Sequence, residues 1–137
     1  MGLFRKLFNS KSNNWLFETI ASIIAITHST CVVGEEMKHP QKQKIILCYY
    51  FGFIDFIGQM HGFNKDDILE VFGQVLKDIL KITGTDYNVS IAIVMAGTQD
   101  TEGRYYMKTG ADALADFLDR NTPTASMPLI GLLSEFE

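Results

Sequence analysis

Residues 41–61 read QKQKIILCYYFGFIDFIGQMH, and this stretch decides the fold. Ile45, Ile46, Leu47, Tyr49, Tyr50, Phe51, Phe53, Ile54, Phe56 and Ile57 cover nearly every direction around a helix. A helix that is apolar on almost all sides is covered on almost all sides, so it belongs at the centre of a bundle. Pro40 stands just before it, at a first helical position where the missing amide hydrogen costs nothing. The remaining face carries Cys48, Gly52, Asp55, Gln59 and Gly62 at spacings of four, three, four and three. Glycine weakens a helix by up to about 1 kcal/mol relative to alanine, so Gly52, Gly58 and Gly62 need a compensating reason. A second helix in close approach supplies one, from the same chain or from another copy; a local kink is the competing explanation. We expect a homodimer whose interface is Cys48, Gly52, Asp55, Gln59 and Gly62.

Working outward, residues 15–35 carry Leu16, Ile20, Ile23, Ile24 and Cys31 near a 3.6-residue period, with Asn14 as the expected N-cap. Asn64 caps a third helix, with Asp66 and Asp67 on its positive first turn and an apolar stripe of Ile68, Phe72, Val75, Ile79 and Ile82. Gly84 is its expected stop. Asn88–Ala96 is rich in β-branched residues; as a single strand it would lack a partner, so helix is preferred. Gly97–Gly103 reads as a polar loop. Thr109-Gly110-Ala111-Asp112 resembles a capping box before a short helix through Leu114 and Leu118. The fold expected is therefore all-α, one bundle of four to six helices over residues 1–120. Residues 121–137 are expected to be a flexible tail with a terminal apolar docking segment, Pro128–Phe136.

The chain has 137 residues, long enough to bury a core without disulfides or metals, and its 47 % apolar content excludes disorder as a description of the whole. Residues 1–62 carry a formal charge of +2 and residues 63–137 one of −6. An acidic second half argues against nucleic acid, which needs clustered lysine and arginine. Two cysteines, each inside an apolar run, suit a reducing cytoplasm better than a stapled secreted fold. No secretory signal is expected, and no apolar run reaches the roughly 18 uninterrupted residues of a membrane span. Lys6 occupies the position at which a myristoylation motif wants Ser or Thr.

Several groupings bear on chemistry. His28, Cys31 and Glu35 share a helix face, and Glu36 and His39 form one Glu-x-x-His spacing of the kind di-iron bundles use. A metal-binding bundle built on His28, Cys31, Glu35, Glu36 and His39 is thus the alternative to a polar helix end beside a buried thiol. Asp55, the only charge between Lys44 and Lys65, is a solvated residue, a structural hydrogen-bond partner or an acid with a raised pKa. Asp112, Asp116 and Asp119 share one face and read first as solvated. Nucleophile elbows, phosphate loops and EF-hand spacing do not occur. The leading expectation is a protein-binding adaptor or regulator, without cofactor and leaning away from enzymatic activity. Leu3, Phe4, Leu7 and Phe8, with Arg5, Lys6 and Lys11, make residues 1–10 a basic amphipathic segment. It is expected to pack on its own bundle, ahead of docking to a partner or contact with an anionic membrane.

Overall fold

The computed structural model describes residues 12–32, 35–122 and 124–136. The amphipathic N-terminal segment lies outside them. Among the described residues six α-helices follow one another: α1 (Asn13–Cys31), α2 (Pro40–Met60), α3 (Lys65–Asp78), α4 (Gly84–Gly97), α5 (Thr101–Leu118) and α6 (Met127–Ser134), with one 3-10 turn over Glu36–Lys38. The chain is an all-α bundle, and among the described residues there is no strand.

Local chemistry sets the boundaries. Ser12, not Asn14, caps α1: its hydroxyl accepts from the Trp15 amide at 3.1 Å, while Asn14 turns to Glu18. His39 caps α2, its ring accepting from the Lys42 amide, and Pro40 takes the first helical position. Asn64 caps α3 as expected, accepting from the Asp67 amide at 2.8 Å. α3 stops earlier than its stripe suggested, at Asp78, so Ile79 and Ile82 lie past its end. Gly84 has the expected left-handed backbone (φ 63°), but it is the first residue of α4. The stretch Asn88–Ala96 is helical throughout.

The main correction concerns α5. The polar stretch 97–103 is not a long loop, because Asp100 accepts from the Gly103 amide and starts a helix that runs on to Leu118. Thr109 therefore sits inside the helix, its hydroxyl bonded to the Tyr105 carbonyl, and caps nothing. The apolar segment docks on its own bundle: Leu129, Leu132 and Leu133 of α6 are buried in the common core, and the buried Tyr49 hydroxyl donates to the Ala125 carbonyl at 2.7 Å.

α2 is the central member. Ile45 through Tyr50, then Phe53 and Ile54, are fully buried, and α1, α3, α4, α5 and α6 all pack against it. Its tightest partner is α5. A side chain on Gly52 would strike the Met107 carbonyl, and one on Gly110 would strike the Tyr49 carbonyl. The two backbones therefore touch at reciprocal glycines, one in each helix. Gly97 and Gly103 make a second such contact where α4 meets α5.

These contacts set the sign of two substitutions. Gly110→Ala is expected to destabilise the protein by about 1–3 kcal/mol through overpacking, although alanine is the better helix former by about 1 kcal/mol. Gly131→Ala in α6 meets open space, so it is expected to stabilise by up to about 1 kcal/mol. Urea unfolding of both variants checks this; a stabilised Gly110→Ala would refute the close approach.

Candidate functional site

The expected metal ligands scatter. His39 is exposed and spends its ring nitrogen capping α2. Glu35 is exposed and pairs with Lys38 at 3.3 Å. The other three point toward one end of the bundle, where α1, α2 and the segment before α6 meet. There His28 Nδ1 lies 2.9 Å from the Tyr50 hydroxyl. The Cys31 thiol donates to the Ser126 carbonyl at 3.5 Å. Glu36 sits within electrostatic range of Cys31 and turns Oε2 into a screened position with no hydrogen-bond partner. Among the described residues, no group of three or more His, Cys, Asp or Glu side chains is placed to hold a metal ion.

Burial sets the protonation of this end. It lowers the pKa of His28 and raises those of Tyr50 and Tyr49. The His28–Tyr50 contact therefore joins a neutral imidazole to a neutral phenol. Burial also raises the Cys31 thiol, with Glu36 adding to the rise and the bond to Ser126 opposing it. Cys48, against Gly97, is pushed up to about 12 by burial. Thiols kept protonated in this way are inert, because the thiolate is the nucleophile.

The five residues expected at a dimer interface divide differently. Cys48 and Gly52 are buried under α4 and α5 of the same chain, so a second copy has no access to them. Asp55 and Gln59 are partly to fully exposed and bond to each other, Nε2 donating to both carboxylate oxygens at 2.9 Å. Asp55 is thus a surface hydrogen-bond partner. Gly62 takes a left-handed conformation (φ 79°) in the turn leaving α2. The acid row is exposed, with Asp112 paired to Lys108 at 2.8 Å. A depression at the end of α5, lined by Phe117, Leu118, Arg120, Asn121 and Thr122, gathers no His, Cys or carboxylate side chain.

Two features were missed in the sequence. Lys44 reaches Asp100 at 3.0 Å and Glu102 at 3.3 Å, tying α2 to the start of α5. Burial would lower its pKa, but the hydrogen bonds it donates to the two carboxylates outweigh that and raise it. The other feature is the outer face of α4. This helix has one charged residue, Asp86, and its second half, residues 91–97, is apolar all round. Yet only Ser90, Val94 and Gly97 are buried, while Val89 is 44 % and Met95 48 % exposed, and Ala92 and Ala96 also face outward. The all-round apolar pattern was its signal. No known family, curated protein or solved structure matches this chain.

Because the folded-state pKa of His28 lies below its ordinary value of 6.5, folding favours the neutral ring. Stability is then fully present above pH 6.5 and is lost as pH falls from there through the lowered folded pKa. Thermal melts between pH 7.5 and 5.5 are expected to show this slope, and His28→Gln is expected to flatten it. Cys48 is expected to resist iodoacetamide at pH 8 in the native protein and to react on unfolding; rapid native labelling at Cys48 would contradict its burial.

Proposed function

We propose that this chain is a non-enzymatic helical protein that works by binding another protein, through the outward face of α4. The observation that supports this is the mismatch between that helix's composition and its position. A helical stretch apolar on all sides is ordinarily covered on all sides, whereas the second half of α4 leaves Ala92, Met95 and Ala96 to solvent, with Val89 one turn before them. Exposed apolar surface without charge favours a partner whose own contact face is apolar.

A second copy of the chain fits that description. Each copy carries a formal charge of −4, concentrated in the second half, so association is least opposed where neither molecule presents an acid. The outward residues Thr85, Asn88, Val89, Ala92, Met95 and Ala96 carry no charge, and the one exposed acid of the helix, Asp86, stands in its first turn. Packed about a twofold axis at Ala92, Val89 of one copy would face Met95 of the other, an apolar residue against an apolar one. The homodimer expected from the α2 stripe is thus carried over to α4. We assign the protein to a reducing, cytoplasmic setting on the strength of two buried free thiols, Cys31 and Cys48. Among the described residues no helix is long and apolar enough to cross a membrane.

Ala92→Arg tests the reading without disturbing the core, since position 92 is exposed. Light scattering across the micromolar range is expected to give a mass near twice 15.4 kDa for the unaltered chain and near 15.4 kDa for the variant, with an unchanged melting temperature. An unaltered chain that stays at the monomer mass would remove the dimer.

A further inference from the structure

The two thiols of the chain are withdrawn from oxidants. Cys31 and Cys48 are buried free cysteines, and burial raises the pKa of each. Peroxide attacks an accessible thiolate, so neither is an efficient target. The accessible sulfur lies in thioethers instead. Among the described residues Met60 is 57 %, Met95 48 % and Met127 65 % exposed, while Met37 and Met107 are half-buried. A thioether needs no ionisation to react, so exposure decides which methionine is oxidised.

The three exposed methionines differ in their surroundings. Met60 ends α2 beside the exposed Gln59, which bonds Asp55. Met127 opens α6 just before Pro128. Met95 stands on the outward face of α4 with Val89, Ala92 and Ala96. None of those side chains carries a hydrogen-bond donor. The Thr98 hydroxyl, three residues on, is given to the Met95 carbonyl at 2.6 Å. In the twofold packing about Ala92, Met95 of each copy faces Val89 of the other, so a change at this one position enters the contact twice.

We propose that Met95 is an oxidation site through which peroxide opens the α4 contact between copies. This rests on the reading of that face as the contact. The thioether sulfur gives two electrons to the peroxide: an S–O bond forms, the O–O bond breaks, and water leaves. The sulfoxide is polar, and its oxygen is an acceptor. Among Val89, Ala92 and Ala96 it meets no donor, and a buried acceptor without a partner opposes association. A thiol-dependent sulfoxide reductase reverses the step, two thiols becoming a disulfide as the oxygen leaves in water. Association in turn shields Met95, because the sulfur is covered in the dimer.

The full chain, partly oxidised with hydrogen peroxide, is separated into monomer and dimer by size exclusion, and the methionines of each fraction are read by peptide mass spectrometry. Met95 sulfoxide is expected to be about tenfold enriched in the monomer, whereas the sulfoxides of Met60 and Met127 divide evenly, and the monomer keeps its far-UV circular dichroism. Met95→Gln puts a polar group at this position without oxidant and is expected to be monomeric with an unchanged melting temperature. Met60→Leu combined with Met127→Leu is expected to dimerise as before and still to lose the dimer on oxidation. Met95 sulfoxide spread evenly over both fractions would overturn the proposal and leave the α4 contact standing. So would a monomer fraction that has unfolded, since the oxidant would then act on the core. An untreated chain with no dimer fraction would remove the contact itself, and the proposal with it.

Discussion

The near-contact of two backbones, α2 at Gly52 and α5 at Gly110, is the constraint on which the rest of the bundle depends. Interiors pack at crystal density, so the separation of two central helices fixes which side chains fit between every other pair. With α5 this close, Cys48 lies beneath Gly97, Gly103 meets Gly97, and Lys44 reaches both Asp100 and Glu102. Each glycine gives up helix propensity for that proximity. The exchange is favourable because the contact lies against the most buried stretch of the chain, Ile45 to Ile54.

At the other side of α2 the problem is polar. Tyr49 and Tyr50 bring two hydroxyls into the core, and a buried hydroxyl without a partner costs free energy. The Ala125 carbonyl satisfies the first and His28 the second. Those bonds recruit the C-terminal segment and the end of α1 as cover for the same helix. Of the residues read as metal ligands, His28 is the polar partner of Tyr50, the Cys31 thiol donates to the Ser126 carbonyl, and one carboxylate oxygen of Glu36 has no hydrogen-bond partner.

The legibility of the sequence followed the range of the forces involved. α2 was readable because its apolar signal is continuous and Pro40 marks its start; α3 was readable because Asn64 caps it through bonds that span three residues. α5 was misread at its start because Gly103 and Gly110 look like breakers until their neighbours in space are known. The small-residue stripe at Cys48 and Gly52 did announce a close approach. Spacing alone does not say which helix makes it, and the covering element proved to be α5 of the same chain. Likewise the tyrosines at 49 and 50 signal a need for partners, but Ala125 lies 76 positions from Tyr49 and has no local signature. The α4 face shows the reverse: its composition was plain, and only its position on the surface reveals that the composition is unspent.

The bond from Tyr49 to Ala125 also has a meaning in time. A ribosome adding about 5–20 residues per second takes roughly 4–15 s to make the 76 residues between them. Through the later part of that interval the most buried helix of the protein has left the exit tunnel without its last cover. α1 and α3 are made early enough to shield part of it, but the side that α5 and α6 close stays open. Nascent chains of this protein therefore pass through a stage with a sticky flank, the kind of surface that general chaperones bind, and translation speed over residues 100–130 governs how long it lasts.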